Sequence, residues 1–270
     1  MASEIPAWAL DADAAQRVTT PWPHAVTRDW AWGSSDGTGV RVCIVDSGVD
    51  AGHPLVGGID RAVAPVAGPD GEPVVADDDQ GDVSGHGTAC AGIIRELAPG
   101  CSITSVRVLG PDLGGSAADL LAGLAWAVEQ RFDVVNLSLS TRKRAAVHDL
   151  RELADEAYFA GTLVVACAHN LPVESYPWRF ASVLSVAGHA GTDPFEIHTN
   201  ARPPVEFYAR GVDVEVAWTG GGRMVATGNS FAAPHLTGIC ARVLGAHPGL
   251  TPFQVKHLLY LTATNVEATT

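Results

Sequence analysis

The chain of 270 residues is 47% hydrophobic and only 17% charged, which excludes a disordered protein and is enough for a large buried core. Its 30 acidic and 17 basic residues give a net charge of -13, so we expect no binding to nucleic acid and no adsorption to an anionic membrane surface. The longest apolar run, residues 120–128, is about half as long as the roughly 20 residues of a membrane-spanning helix.

Five short runs rich in β-branched residues predict buried parallel strands. They cover residues 40–46, 103–109, 134–139, 163–168 and 183–187. Helical patterns separate several of these runs. Such alternation is typical of βαβ units, so we expect an α/β fold in three layers, with a mostly parallel central sheet and helices on both faces.

Three helices are predicted from amphipathic patterns that carry capping signals. They cover residues 116–131, 145–160 and 251–261. Ser116 is predicted to cap the first helix, and Gly161 to end the second. Thr251 with Pro252 and Gln254 forms a capping box that begins the last helix.

Two regions are predicted to be loops. Residues 50–84 are rich in Gly, Pro and Asp, and residues 189–228 are read as loops with one hairpin that turns at residues 220–222. No internal repeat is visible, so we expect a single domain over residues 1–270. Residues 1–37 are expected to be an N-terminal extension that packs on this domain.

Cysteine usage and the start of the chain favour a cytoplasmic location. Five cysteines without a pairing rhythm are interpreted as reduced, buried residues, and no zinc-binding spacing is present. The first residues lack a signal peptide, although a mature secreted form is the alternative. The five are Cys43, Cys90, Cys101, Cys167 and Cys240.

Three polar residues lie where predicted elements begin or end beside glycine: Asp46, His86 and Ser230. Taken singly, each is explained by turn or helix capping. Together they suit nucleophilic catalysis, because a serine hydroxyl needs an imidazole to remove its proton and the imidazole needs a carboxylate to fix its tautomer. The order Asp, His, Ser along the chain is one of three known for this constellation.

Three segments resemble the signature segments of the subtilisin-like serine peptidases (subtilases). They are residues 45–48 (Val-Asp-Ser-Gly), 85–88 (Gly-His-Gly-Thr) and 228–234 (Gly-Asn-Ser-Phe-Ala-Ala-Pro). The resemblance covers roughly residues 38–262. It implies a subtilisin-like fold in which Asp46 orients His86, His86 is general base and acid, and Ser230 is the nucleophile.

The resemblance also implies an oxyanion-stabilising side chain and a substrate pocket. Asn170 is the expected oxyanion donor, although His169 replaces the glycine that usually precedes it. Added side chains on the pocket wall lead us to expect small or medium residues before the scissile bond rather than Phe or Arg. The expected pocket residues are Ser138, Leu139, Ser140, Ala168 and Ser175.

No cofactor or metal is expected. In the calcium-dependent members of the family a ligand loop bulges from the helix after the catalytic His, and residues 87–97 leave no room for it. The remaining cation candidate is the acidic loop Asp77, Asp78, Asp79 and Asp82, which is more simply a solvated loop.

The sequence therefore predicts a serine endopeptidase that cleaves a peptide or protein substrate through an acyl-enzyme. We expect a dedicated cytoplasmic protease that processes one peptide precursor. Two alternatives stay open: a subtilase-type acyl transferase or macrocyclase, and a non-catalytic binding module on the same scaffold. The oligomeric state is left open.

Overall fold

A computed structural model describes Trp22 and residues 25–267 of the chain. Its α-helices are α1 (Arg28–Ala31), α2 (His86–Leu97), α3 (Ala117–Glu129), α4 (Val147–Ala160), α5 (Asn229–Ala246) and α6 (Pro252–Thr262). Its first strands are β1 (Arg41–Asp46), β2 (Arg61–Ala67), β3 (Pro73–Asp77), β4 (Ser102–Arg107), β5 (Val134–Leu137) and β6 (Leu163–Cys167). The others are β7 (Leu184–His189), β8 (His198–Thr199), β9 (Phe207–Arg210), β10 (Val214–Trp218) and β11 (Gly222–Ala226).

The main sheet has nine strands in the order β3-β2-β4-β1-β5-β6-β7-β9-β8. The seven strands from β2 to β9 in this order are parallel, and β3 and β8 pair antiparallel at the two edges. Strands β10 and β11 form a separate antiparallel hairpin. All five predicted strands are present in the parallel part.

Alternate residues of β1 supply two different hydrophobic cores, one on each face of the sheet. Val42 and Ile44 belong to the core that contains the buried residues of α2 and α5. Cys43 and Val45 belong to the core under α3 and α4. The three-layer α/β architecture predicted from the sequence is confirmed.

The capping signals act as predicted. The Ser116 hydroxyl accepts from the backbone N–H of Asp119, and Thr251 forms a complete capping box with Gln254. Gly161 ends α4 in the left-handed region, at φ 90°. The predicted helix over residues 145–160 begins with one 3-10 turn, so α4 proper starts at Val147.

The prediction of loops over residues 50–84 and 189–228 was wrong in part. The first region contains β2 and β3, and the second contains β8 and β9 beside the predicted β10–β11 hairpin. These strands are short or lie near the sheet edges, and their burial is mixed. They therefore lack the continuous apolar run by which the central strands were identified.

Residues around α1, at the N-terminal end of the described chain, contact the core. Ala31 and Trp32 are buried in the core with α5, and the ring of Trp30 lies 4.3 Å from that of His247. Residues 1–21, 23 and 24, which belong to the predicted N-terminal extension, lie outside the described residues.

All five cysteines are buried and unpaired. None of the helices in the described ranges is long and apolar enough to cross a membrane.

Candidate active site

The carboxylate of Asp46 meets the imidazole of His86 where β1 ends and α2 begins. Asp46 is the last residue of β1, and the chain turns at Gly48 with φ 99°. A side chain at Gly87 would collide with the carbonyl oxygen of Gly48, so only glycine allows the start of α2 to approach this turn. The glycines around His86 therefore permit the close approach that joins the two catalytic candidates.

Asp46 is fully buried and is held as a hydrogen-bond acceptor. Its Oδ1 accepts from the backbone N–H of Ser47 at 2.7 Å, and His86 Nδ1 lies 2.8 Å from Oδ1 and 3.0 Å from Oδ2. A carboxylate only accepts, so His86 Nδ1 carries the proton and Nε2 is left as the basic nitrogen. This is the tautomer that a general base needs.

Two opposing effects set the pKa of His86. Burial of the imidazole acts to lower the pKa, while the charge of Asp46, the hydrogen bond with Asp46 and the charge of Asp82 act to raise it. The net result is a pKa raised above the ordinary histidine value. The carboxylates thus stabilise the imidazolium that forms when His86 accepts a proton.

Ser230 lies in the first turn of α5, and His86, Asn170 and Ser230 line one cavity of about 230 Å³. A Cβ on Gly228 would lie 3.2 Å from Ser230 Oγ and 3.5 Å from Asn170 Nδ2, so both atoms face the space beside Gly228. Within the described residues Ser230 Oγ makes no hydrogen bond with His86. Such contacts are often long or poorly aligned without substrate.

The side chain of Asn170 is oriented by its neighbour Asn229. Asn170 Oδ1 accepts from the backbone N–H of Asn229 at 2.8 Å, which leaves Nδ2 as a donor in the cavity. The Ser230 N–H, in the first turn of a helix, has no helix carbonyl four residues before it. These two donors suit an oxyanion formed next to Ser230.

Ser230 is held by a series of buried hydrogen bonds that the sequence analysis did not identify. Thr237 donates to Asn136 Oδ1 at 3.0 Å, Asn136 Nδ2 donates to Ser138 Oγ at 3.1 Å, and Ser138 Oγ donates to the Ser230 carbonyl at 2.8 Å. These hydrogen bonds hold α5 against the end of β5. An asparagine inside the apolar run of β5 was the available signal.

Asp82 of the acidic loop accepts hydrogen bonds from residues at the start of α2. Asp82 Oδ1 accepts from Ser47 Oγ and from the N–H groups of Ser84 and Gly85, and Oδ2 accepts from the N–H and hydroxyl of Thr88. These donors occupy the carboxylate that the sequence offered as a cation ligand. Asp82 is therefore a positioning residue for His86.

Asp78 of the same loop is also paired. Arg107 donates to both oxygens of Asp78, at 2.8 and 2.9 Å, and these hydrogen bonds hold the pKa of Asp78 below its usual value. Beyond this loop, α2 runs without interruption to Leu97 and a short turn leads to β4.

Cys90 lies behind the catalytic residues as a protonated thiol. Its Sγ is 3.3 Å from Ser138 Oγ and 3.8 Å from Asp46 Oδ2. Burial, with the charge of Asp46, raises the pKa of Cys90 well above its usual value. A buried, protonated thiol is a poor nucleophile, so we expect Ser230 rather than Cys90 to react.

The structure brings four of the five predicted pocket residues to the cavity. Leu139, Ser140 and Ala168 line it, and so does Ser138, whose hydroxyl is used by the bond to Ser230. Ser175 is not among the lining residues. It is fully buried, and its Oγ accepts from Trp178 Nε1 at 2.8 Å, so its placement at the floor of the pocket was wrong.

The cavity has four further lining residues, of which the sequence had already indicated His169, next to the oxyanion candidate, and Cys167, next to Ala168 in the expected pocket wall. His169 Nδ1 accepts from the backbone N–H of Leu171 at 2.9 Å, which leaves Nε2 as a proton donor. The four are Leu109, Leu113, Cys167 and His169.

Two groups among residues 25–267 have ligand atoms close enough to hold a metal ion. One is Asp46, His86 and Cys90, which belong to the buried base of the active site. The other, His189, Glu196 and His198, lies outside the cavity.

Comparison with known proteins gives one consistent result. A model described as the subtilase family matches residues 37–270. The thermostable alkaline protease of Halalkalibacterium halodurans is 30% identical over 239 residues, which are 84% of this chain and 63% of that protein. The chain thus spans less than two thirds of the length of this relative.

A second relative and a solved structure agree with this match. Subtilisin DY of Bacillus licheniformis is 29% identical over 248 residues, 85% of this chain and 85% of that protein. A cold-adapted subtilisin-like serine proteinase of known structure has a TM-score of 0.67 and 29% identity, with 84% of this chain and 82% of that chain covered.

Proposed function

Since the chain belongs to the subtilase family, we propose that it is a serine endopeptidase that acts through an acyl-enzyme. One observation carries the proposal: His86, Asn170 and Ser230 line a single cavity, and Asp46 is hydrogen-bonded behind the imidazole. Each of the four side chains then has a chemical role that its contacts suit.

The reaction begins when Ser230 Oγ attacks the carbonyl carbon of the scissile peptide bond. His86 Nε2 accepts the hydroxyl proton, and Asp46 stabilises the resulting imidazolium. Asn170 Nδ2 and the Ser230 N–H donate to the oxyanion of the tetrahedral intermediate. His86 then gives its proton to the leaving amine, the C–N bond breaks, and the acyl group remains as an ester on Ser230.

In the second half of the reaction, water is the nucleophile and Ser230 is the leaving group. His86 removes a proton from the water that attacks the ester, and the proton returns to Ser230 Oγ as the carboxylic acid leaves. The series of buried hydrogen bonds that joins Thr237 to Ser138 holds the backbone of the nucleophile in place through both steps. It binds no reacting atom and so acts by positioning.

We propose that the substrate is a peptide or protein with a small or medium side chain before the scissile bond. The cavity is only about 230 Å³, and Ser140 and His169 place side chains on its lining. The five buried, unpaired cysteines support action in the reducing cytoplasm, and we propose that the substrate there is one dedicated peptide precursor.

A library of unstructured peptides tests the activity and separates hydrolysis from acyl transfer. Hydrolysis gives two fragments whose masses sum to the substrate plus one water. Macrocyclisation gives a product that lacks this water. Cleavage by wild type with none by folded Ser230→Ala supports the proposal, and equal cleavage by both proteins contradicts it.

We further propose that the fold needs no bound calcium, because internal donors occupy the carboxylates of Asp82 and Asp78. Any fall of the melting temperature in EDTA should therefore not be reversed by added calcium. A fall of many degrees that calcium reverses would contradict this, since a ligand that binds only the folded state stabilises it.

A further inference from the structure

His189, Glu196 and His198 form a cluster outside the catalytic cavity. His189 ends β7, His198 begins β8, and Glu196 lies in the loop between them. The possible ligand atoms of the three side chains all lie within 4.8 Å of one another. The three residues are half-buried, so the cluster is reachable from solvent.

The distances within the cluster suit a tetrahedral ion. His198 Nε2 lies 3.0 Å from Glu196 Oε1. Two ligands bound to zinc at about 2.0–2.1 Å are themselves separated by roughly 3.3 Å. A metal ion between these two atoms would therefore need only a small outward movement of the side chains.

The tautomer of His189 also suits coordination. His189 Nε2 donates to the backbone carbonyl of Glu196 at 3.0 Å, while Nδ1 accepts from the N–H of Gly191 at 2.9 Å. Metal-binding histidines usually donate their other ring N–H to a carbonyl or carboxylate, which fixes the ring and the ligating nitrogen. Nδ1 is thus the ligand atom, and the ion would replace the single bond from Gly191.

Gly191 keeps open the space between the carboxylate of Glu196 and the imidazole of His189. A Cβ at this position would lie 2.5 Å from Glu196 Oε2 and 2.9 Å from His189 Nδ1. Gly191 is not among the glycines with positive φ, so its backbone conformation does not require glycine. The requirement comes from the space beside the carboxylate and the imidazole.

We infer that His189, Glu196 and His198 bind one divalent transition-metal ion. Two imidazoles and one carboxylate form a ligand set typical of Zn²⁺, with water in the fourth position. The ion would fasten β8 to the end of β7. The N–H of Gly188, the neighbour of His189, donates to Asn229 Oδ1 at 2.8 Å. A single hydrogen bond therefore connects the proposed metal site to the residue that precedes Ser230.

Calorimetric titration of chelator-treated protein with Zn²⁺ tests the inference without reference to peptidase activity. We expect one equivalent to bind wild type, and His198→Gln and Glu196→Gln to weaken binding at least about tenfold, as loss of a ligand or its partner does. The matched control is His148→Gln, which removes an exposed histidine 3.6 Å from Glu152 that belongs to neither group of possible metal ligands found among the described residues. This control should bind Zn²⁺ as wild type does.

Gly191→Ala supplies a second variant that keeps all three ligands. Its methyl group should weaken binding at least several-fold by filling the space beside Nδ1, so the test stands even where a ligand variant fails to fold. No binding by wild type, or unchanged affinity in folded His198→Gln or in Gly191→Ala, would overturn the inference. Binding lost in Cys90→Ser but kept in His198→Gln would assign the ion to the catalytic group instead.

Discussion

The active site has two regions whose side chains are held in different ways. The catalytic floor consists of residues that are at most 7% exposed and form two hydrogen-bonded groups: Asp46 with His86, and Asn136 with Ser138 and Thr237. The pocket rim consists of Leu139, Ser140, His169 and Asn170, which are half-buried or exposed. Among the described residues, Ser140 Oγ makes no hydrogen bond.

The difference separates chemistry from selectivity. A buried polar group without a partner is costly, so each member of the catalytic floor restricts what its neighbours can be. A residue of the pocket rim is partly exposed to solvent, so its substitution changes the free energy of unfolding little. Substitutions in the floor should therefore reduce turnover, while those in the rim should change which peptide is cut. Asn170 is the exception that tests this division, since it lies in the rim and is assigned a role in turnover.

We expect Asn170→Ala to lower kcat by about 10²–10³ with a much smaller change in KM, because the lost donor acts on the oxyanion rather than on the bound substrate. Steady-state kinetics on a peptide substrate measures both constants. His169→Gly, one residue away in the same rim, is the matched control and should keep kcat within a few-fold. An Asn170→Ala enzyme with unchanged kcat would remove this residue from the mechanism.

The pH dependence of kcat/KM should report the opposing influences on His86. The pKa of His86 is raised above the ordinary value of about 6.5, so its neutral, basic form is protonated already at a higher pH than usual. Below that pKa, activity should fall about tenfold for each pH unit. Protonated His86 favours the folded state. This contribution to stability is therefore present at low pH and is lost as pH rises through the raised pKa.

Asp46→Asn is the control for this profile. It removes the charge of Asp46, which is the largest of the effects that raise the pKa of His86, and leaves the smaller effect of Asp82 and the burial that lowers the pKa. The acid limb of the residual activity should then move to lower pH. An acid limb of the wild-type enzyme below pH 6.5, or one that Asp46→Asn does not move, would contradict the assigned pair.

The smallest expected effect is a change of preference at the rim. Ser140→Gly removes a side chain from the cavity lining and should raise kcat/KM for Phe relative to Ala before the scissile bond by about tenfold, within the 1–3 kcal/mol that small changes of pocket size produce. Ser175→Gly is the matched comparison, since Ser175 is bonded to Trp178 outside the cavity. An equal change in preference from both variants would show that Ser140 does not act through the lining.

Sequence reasoning found the residues that glycine patterns and buried runs mark. Asp46, His86 and Ser230 each lie within two residues of a glycine at an element end, and the central strands are continuous apolar runs. Strands β2, β3 and β8 lie at or next to the sheet edges and were missed, because their mixed burial interrupts that pattern.

The supporting contacts were harder to predict because they join distant parts of the chain. Asn136 and Thr237 are 101 residues apart, and no local pattern pairs them. Asp82 looked like one more carboxylate of a solvated loop until the fold placed five donors around it. Ser175 was misplaced because position in the sequence does not tell whether a residue faces the cavity or lies behind its wall.

Covalent labelling with a fluorophosphonate tests the central claim, that the catalytic floor activates Ser230, most directly. The account predicts stoichiometric labelling of wild type, with the modification mapped to Ser230 by peptide mass. It predicts strongly reduced labelling of His86→Ala and none of Ser230→Ala, with both variants folded. A folded wild-type protein that takes no label, or one labelled at another residue, would contradict the account.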